Sequence, residues 1–226
     1  MTRLAAIDKN RITADFFDGY AEDFDSIYGS GKDRVSRFIN RVFRKSIQKR
    51  YELTLNACRD IMGKRVLDVG CGPGHYSVAL AKRGAGWVHG IDFAPQMIEL
   101  ARKKAEAMKV SENCLFEVKD FYAIDCNNYD YLILMGFMDY VEDARLCIEK
   151  AISLCQGKVF FSFPVSDGIL AWQRKIRYKR KCPLYLYSYN DLLRLFYSIP
   201  GLKFRIRNLR RDFWVEAWKL QDQARQ

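Results

Sequence analysis

A short apolar run that ends in three alternate glycines constrains this fold more than any other stretch of the chain. Residues 66–74 read Val-Leu-Asp-Val-Gly-Cys-Gly-Pro-Gly, and a helical pattern of apolar residues follows directly. This order predicts a buried strand, a sharp turn and a helix N-terminus, where glycines permit both the turn and the close approach of a ligand. Asp92 ends a second apolar run about twenty residues later, where a carboxylate can accept hydrogen bonds from ribose hydroxyls. The pattern predicts a pocket for a cofactor that contains adenosine.

The residues around the glycines discriminate between such cofactors. A dinucleotide fingerprint requires a further glycine at position 75 or 77, where this chain has His75 and Ser77. Pro73 lacks one of the backbone N–H groups that would bind a pyrophosphate. Asp68 would repel a pyrophosphate but would favour a ligand with an ammonium group. S-adenosyl-L-methionine carries an ammonium, a sulfonium and a ribose without phosphate, so it is the predicted cofactor.

The segment 67–74 resembles the first motif of the class I S-adenosylmethionine-dependent methyltransferases. The resemblance implies a Rossmann-like, seven-stranded, mostly parallel sheet with helices on both faces and a C-terminal antiparallel hairpin. The layout of the chain is most similar to small-molecule enzymes of this family, such as magnesium-protoporphyrin, sugar and quinone-precursor methyltransferases. Within the motif, the resemblance implies that five residues bind the cofactor: Asp68, Gly70, Cys71, Gly72 and Gly74.

Alternating apolar and helical patterns support the same α/β fold class independently. Because strands and helices alternate, we expect a parallel sheet whose ligands bind beyond the carboxyl ends of its strands. Two further strands, at about 202–207 and 213–218, are too close in sequence for a helix to connect them, so they predict an antiparallel hairpin. The five strands predicted before this hairpin are 65–70, 87–91, 114–118, 131–135 and 159–163.

Two parts of the chain are predicted to differ in role. Residues 1–62 are expected to form an N-terminal helical lid or decoration, and residues 63–226 the methyltransferase core with a substrate-binding insertion at about 165–200. A helix at 34–62 combines an apolar stripe with many basic residues, among them Arg50. Such a helix could lie on an anionic membrane. More often, its apolar stripe packs on the domain and its charged side chains point into solvent, and we predict this second arrangement here.

Further cofactor contacts are implied by the resemblance alone. It places Asp120 and Phe121 at the adenine, with Phe93 on the other side of the ring, and the backbone of Met135 at the methionine end. Asp120 could equally cap the next short helix. In the aromatic and acidic segment at 10–30, the resemblance places two tyrosines near the methyl group, while packing at the domain edge is the alternative; these are Tyr20 and Tyr28.

Methyl transfer needs few catalytic groups, because the cofactor is already activated and most of the catalysis is proximity and orientation. A base is required only if the acceptor must lose a proton. His75 and Tyr20 are candidates for it, although His75 could simply begin a helix. Asp139 and Tyr140 follow the fourth strand and are candidates for catalysis and substrate contact, respectively. Asp139 could instead be the N-terminal cap of a helix at 142–154.

The predicted insertion contains a basic stretch followed by an aromatic one. Arg174, Arg177, Tyr185 and Tyr187 are the candidate substrate residues in it. Interleaved cations and aromatic rings suit a planar or phosphorylated substrate, or single-stranded nucleic acid. The alternative is a solvated basic helix beside core tyrosines.

The net charge of +11 indicates an anionic partner. We therefore expect methyl transfer to oxygen or nitrogen of a small anionic acceptor, such as a carboxylate, a nucleotide-linked sugar or a lipid-linked precursor. One alternative is an RNA methyltransferase, although the sequence shows no appended RNA-binding module. The other is a non-catalytic S-adenosylmethionine-binding protein at a membrane surface, with peripheral membrane contact.

Cysteine, histidine and apolar patterning suggest the cellular setting. The seven cysteines never form Cys-x-x-Cys, and with only two histidines no metal site is predicted. There is no signal-peptide core at the N-terminus and no apolar run long enough to span a membrane. A reducing cytoplasm is the expected location.

Overall fold

The computed structural model describes residues 34–126, 128–168 and 184–220. Four predicted site residues, Tyr20, Tyr28, Arg174 and Arg177, lie outside these ranges. In chain order, the helices and strands are α1 (Arg34–Ala57), β1 (Arg65–Val69), α2 (His75–Lys82), β2 (Trp87–Asp92), α3 (Pro95–Ala107), β3 (Cys114–Val118), β4 (Tyr129–Leu134), α4 (Ala144–Leu154), β5 (Cys155–Pro164), α5 (Tyr189–Tyr197), β6 (Leu202–Asn208) and β7 (Asp212–Lys219). Short 3-10 helices precede and follow β3, at Ser111–Asn113 and Phe121–Ala123.

The seven strands form one sheet in the order β3-β2-β1-β4-β5-β7-β6. Neighbouring strands from β3 to β5 are parallel, whereas β7 is antiparallel to both β5 and β6. This confirms the predicted Rossmann-like α/β fold with its C-terminal antiparallel hairpin. Strand order reverses at β1, which pairs with β2 on one side and β4 on the other. The carboxyl ends of these three strands therefore form the crevice in which such sheets bind ligands.

Strand β5 begins earlier than its apolar pattern predicts. The sequence predicts a strand at 159–163, but β5 starts at Cys155, directly after α4. Residues 155–158 lack the apolar run of a central strand and nevertheless pair, with Cys155 opposite Tyr129. A Cβ on Gly157 would lie 2.3 Å from the carbonyl oxygen of Asp130. Glycine at this position therefore permits the close approach of β4 and β5. Apolar patterning does not detect such an approach, so it did not predict the pairing of residues 155–158.

Apolar side chains fill both faces of the sheet. On one face, α4 and α5 cover residues of β4, β5 and β7. On the other face, the C-terminal part of α1 packs with α2, and the ring of Phe160 stacks between Tyr131 and Trp214 at centroid distances of 6.0 and 5.9 Å. These layers leave the carboxyl edge of the sheet to the loops that follow β1, β2 and β4.

The described part of α1 packs on the core, as predicted. Leu55 is 3% exposed, and Cys58 and Ile61, which follow the helix, are buried with it. The helix ends at Ala57 rather than near 62, because residues 58–60 form a turn. The division into 1–62 and 63–226 stays a prediction. No helix within the described ranges is long and apolar enough to cross a membrane.

A buried hydrogen bond joins α1 to the final strand. The indole N–H of Trp214 donates to Thr54 Oγ1 at 2.9 Å, and both side chains are buried. Replacing Thr54 by Val leaves this N–H without an acceptor, so we expect the free energy of unfolding to fall by about 1–3 kcal/mol. Urea denaturation measures the loss. In a double-mutant cycle with Trp214→Phe, the cost of Thr54→Val should shrink; equal costs in both backgrounds would contradict the role of this bond.

Candidate functional site

The glycine turn after β1 has the strained backbone that its sequence predicts. Gly70, Gly72 and Gly74 have φ angles of +64°, +51° and +74°, a region that other residues rarely adopt. A Cβ on Gly70 would lie 3.0 Å from the Phe137 ring, and one on Gly74 would lie 3.0 Å from the Ala101 side chain. A Cβ on Gly72 would have nothing within 4 Å. The turn is therefore closely packed at its two ends and open in its middle.

Hydrogen bonds to the Asp92 carboxylate join the end of β2 to this turn. One carboxylate oxygen accepts the N–H of Gly72 at 2.9 Å, and the other accepts the N–H of Ala94 at 3.0 Å. A carboxylate has about four acceptor positions, so it can bind further donors beside these two. The predicted proximity of Asp92 to the glycines is confirmed, whereas its contact with a ribose stays a prediction.

Asp68 lies beneath the turn with only 2% of its surface exposed. Its Oδ2 accepts two hydrogen bonds from Ser77, from the backbone N–H at 3.1 Å and from the hydroxyl at 2.6 Å. Burial raises the pKa of Asp68 to about 7; the Ser77 bonds oppose this shift and the charge of Asp92 adds to it. Ser77, one of the two residues that depart from the dinucleotide fingerprint, thus binds this carboxyl group.

Cys71, inside the motif, and His75, directly after it, differ in exposure. Cys71 is 6% exposed, its N–H donates to the Ile91 carbonyl at 3.0 Å, and burial raises the pKa of its thiol well above the ordinary value. Cys71 is therefore an unreactive packing residue whose backbone belongs to the turn. His75 is exposed at the start of α2, with its Nδ1 3.0 Å from Nζ of Lys104. Its role as a base stays a prediction.

The residues predicted at the adenine have structural roles of their own. Asp120 Oδ1 accepts the N–H of Tyr122 at 2.9 Å and so caps the 3-10 helix, which confirms the alternative role. Phe121 is 1% exposed and packs edge-to-face on Phe137 at 6.0 Å. Phe93 is half-buried beside Asp92. An adenine contact stays a prediction for all three, and the burial of Phe121 disfavours direct stacking of its ring.

The turn after β4 lies beside the glycine turn. Met135 is buried, and Gly136 has a φ of +78°. The N–H of Gly136 donates to Ser162 Oγ of β5 at 2.7 Å. Because Phe137 packs against Gly70, the loops after β1 and β4 are in direct contact at the carboxyl edge.

Asp139 and Tyr140 continue this loop. Asp139 is 3% exposed, and its carbonyl accepts the N–H of Tyr185 at 2.9 Å. The cap of α4 is Asp143, whose Oδ1 accepts the N–H of Leu146 at 2.9 Å, so the alternative reading of Asp139 as that cap is wrong. Tyr140 is half-buried beside Asp139. The Asp139 backbone therefore joins the loop after β4 to residues 184–187.

A groove of about 830 Å³ lies next to this junction, between the N-termini of α4 and α5. Tyr185 and Tyr187 line it together with Arg145, the α4 cap Asp143, and Asp191 in the first turn of α5. The Tyr187 ring also packs edge-to-face on Phe163 at 5.0 Å, as the core-tyrosine alternative expected. Substrate contact by either tyrosine stays a prediction. Within the described ranges, no group of three or more His, Cys, Asp or Glu side chains could hold a metal ion.

Arg50 is the site residue that sequence reasoning missed. The amphipathic pattern predicts a solvated position for it on α1, but its side chain is only 13% exposed. Its Nη1 donates to Ser162 Oγ at 3.0 Å and lies 3.8 Å from Asp212 Oδ2. A weak signal exists in the sequence, since Ser46, Arg50 and Thr54 recur at four-residue spacing and thus share one side of the helix.

Two curated proteins similar to this chain are ubiquinone biosynthesis O-methyltransferases. The ubiquinone biosynthesis O-methyltransferase of Neisseria meningitidis serogroup C is 38% identical over 108 residues, which cover 46% of this chain and 45% of that protein. The protein of the same name from Coxiella burnetii (strain Dugway 5J108-111) is 34% identical over 135 residues, covering 59% of this chain and 54% of that protein. The chain spans about half the length of the curated relatives it matches.

Solved structures share the fold over almost the whole chain. The magnesium protoporphyrin IX methyltransferase (ChlM) of Synechocystis PCC 6803 with bound SAH has a TM-score of 0.71 at 23% identity, covering 94% of this chain and 100% of that one. The DhpI–SAH complex has a TM-score of 0.66 at 14% identity, covering 95% and 98% of the two chains. At these identities, the likeness establishes the fold.

The family model described as a methyltransferase domain matches residues 62–186, more than half of the 226 residues. The matched range includes the glycine turn, Asp92 and the loop after β4. This chain therefore belongs to the methyltransferase domain family.

Proposed function

We propose that this chain is an S-adenosylmethionine-dependent O-methyltransferase that acts on a small-molecule acceptor. The observation that carries the proposal is the glycine turn between the carboxyl groups of Asp68 and Asp92, at the carboxyl edge of the sheet. The membership of the chain in the methyltransferase domain family supports it. The names of the curated relatives favour oxygen as the acceptor atom over nitrogen.

The residues present fit this cofactor. The open space at the Cβ position of Gly72 admits a ligand close to the backbone of the turn. A pyrophosphate there would meet the charge of Asp92 and, above a pH of about 7, that of Asp68 as well. A ligand with hydroxyl and ammonium donors would be attracted instead. When bound, S-adenosylmethionine supplies a methyl group that its sulfonium has already activated for transfer.

Each part of the edge then has a proposed task. Asp92 accepts hydrogen bonds from the ribose hydroxyls. The Met135 carbonyl accepts from the ammonium group, and Asp120 accepts from the exocyclic amine of the adenine. Asp68 supplies negative charge beneath the turn.

The contribution of the chain to the rate is mainly orientation and exclusion of water. A hydroxyl acceptor must lose a proton, and His75, Tyr20 and Asp139 stay the candidate bases. Asp139 is buried in the loop after β4, where its charge helps to raise the pKa of Arg50. For the acceptor, the net charge of +11 favours an anionic molecule, and the tyrosines of the groove favour an aromatic ring.

Methyl incorporation tests the proposal directly. The purified protein is incubated with S-adenosylmethionine and a carboxylated catechol, 3,4-dihydroxybenzoate, or its uncharged methyl ester, and mass spectrometry records a gain of one methylene. We expect transfer to the acid in preference to the ester. Asp92→Asn should lower kcat/KM for the cofactor about 10- to 100-fold, because a hydrogen bond to a charged group is lost.

Glu112→Gln provides the matched control, since this exposed carboxylate precedes β3 at the opposite edge of the sheet. It should leave the rate unchanged. Equal rates for Asp92→Asn and the control would remove Asp92 from the site, and no transfer to either acceptor would contradict the proposed acceptor class.

Cofactor binding should depend on pH through Asp68. Its pKa of about 7 means that the carboxyl group is mainly protonated in the free protein below that pH. A cationic ligand favours the ionised form, so binding at about pH 6 should release a proton, and affinity should rise as the pH increases through about 7. Titration calorimetry in two buffers of different ionisation enthalpy measures the release. Asp68→Asn should abolish it; the same proton release in wild type and variant would exclude Asp68 as its source.

A further inference from the structure

Strand β6 forms an open edge of the sheet. Within the described ranges it pairs with β7 alone, so the backbone N–H and C=O groups on its outer side have no strand partner there. It is seven residues long, whereas β3 at the other edge has five. A row of such backbone groups is a template for a further strand. The side chains beside this row therefore determine which segment can add to it.

One face of β6 presents a cation at every second residue. Lys203, Arg205 and Arg207 are exposed, and residues at this spacing lie about 7 Å apart along a strand. Arg205 donates to the buried carboxylate of Glu216 at 3.3 Å, and the same carboxylate pairs with Lys158 at 2.8 Å. Because two cations share this one carboxylate, the row keeps a net positive charge.

The rest of the β6–β7 hairpin adds to this charge. Between residues 201 and 219, all of which the structure describes, the two acidic residues are Asp212 and Glu216, and both are buried. Arg210 and Lys219 are exposed beside the three cations of β6. A surface that carries one sign of charge attracts a partner of the opposite sign. The partner that fits this edge is therefore acidic.

The opposite face of β6 is apolar and incompletely covered. Leu202, Phe204 and Ile206 are half-buried, and the Tyr197 ring of α5 packs edge-to-face on Phe204 at 5.0 Å. Tyr197 is nevertheless 76% exposed. A strand added beside β6 would place its own apolar side chains next to these rings. The alternation along β6 thus matches a strand in which acidic and apolar residues alternate.

A second copy of the chain is a poor partner for this edge. Antiparallel pairing of two copies of β6, centred on Arg205, would place Lys203 of each copy opposite Arg207 of the other. Like charges directly opposite each other destabilise a strand pair, and cations on edge strands commonly prevent such self-pairing. The same cations favour an acidic strand over a copy of β6.

We propose that β6 is a docking edge for another protein, of which an extended acidic segment adds to the sheet as a further strand. Its carboxylates would face Lys203, Arg205 and Arg207, and its apolar side chains would face Phe204 and Tyr197. In such complexes the backbone hydrogen bonds give affinity and the alternating side chains give specificity. The inference goes beyond the proposed function and does not depend on it, because three strands separate β6 from β1.

A synthetic peptide tests this docking edge. The probe is a fluorescently labelled peptide with blocked ends, in which three glutamates alternate with three valines, and fluorescence anisotropy records its binding to the full chain. We expect saturable binding that weakens as the salt concentration rises. Lys203→Glu should raise the Kd about five- to tenfold, because an attractive pair becomes a repulsive one, and Lys203→Glu/Arg207→Glu should raise it further.

Lys82→Glu is the matched control, since it makes the same charge reversal at an exposed residue at the end of α2. It should leave the Kd unchanged. Equal weakening by Lys82→Glu and Lys203→Glu, or no binding of the peptide to the wild-type protein, would overturn the inference. Binding of phosphatidylglycerol vesicles through Lys203 without binding of the peptide would overturn it too, and would assign the edge to a membrane.

N-methylation of the peptide separates strand pairing from simple charge attraction. Successive amides of a strand point to opposite sides, so the amides of the glutamates and those of the valines face opposite edges. One peptide is methylated on its glutamate amides and another on its valine amides. One of the two should lose binding and the other should keep it; the same behaviour of both would show that β6 does not pair with the peptide.

Discussion

Hydrogen bonds to the Asp92 carboxylate hold the glycine turn of the site in place. Three alternate glycines with positive φ angles would not keep one conformation without such partners, because glycine loses the most freedom on folding. Asp92 binds the middle of the turn, while Phe137 and Ala101 pack against its ends. The same carboxylate is the proposed ribose ligand. Local stability and cofactor recognition therefore depend on one side chain.

Polar contacts join α1 to the sheet. Three of its polar residues form hydrogen bonds to β5 and β7. Ser46 contacts Asp212, Arg50 contacts Ser162 and Thr54 contacts Trp214. Such bonds tie the helix to the core at fixed points, which apolar packing alone does not do. A segment that precedes all seven strands of the described sheet in the chain thereby reaches the edge where the proposed chemistry takes place.

Sequence patterning predicted most of the fold because the relevant signals are local. The glycine turn and the hairpin each lie within a short stretch of the chain, and the structure contains both. The start of β5 and the burial of Arg50 depend on partners far away in the chain, namely Asp130 and Ser162. A basic residue on an amphipathic helix is usually solvated, so only tertiary contacts could identify Arg50 as an exception.

A crystal structure of the S-adenosylhomocysteine complex tests the central claim most directly. We predict that the ribose hydroxyls lie within hydrogen-bonding distance of the Asp92 carboxylate, that the nucleoside crosses Gly72, and that the ammonium group meets the carbonyl of Met135. A nucleoside bound elsewhere, for example in the groove at Tyr185, would contradict the account, because the glycine turn would then serve only to connect β1 and α2.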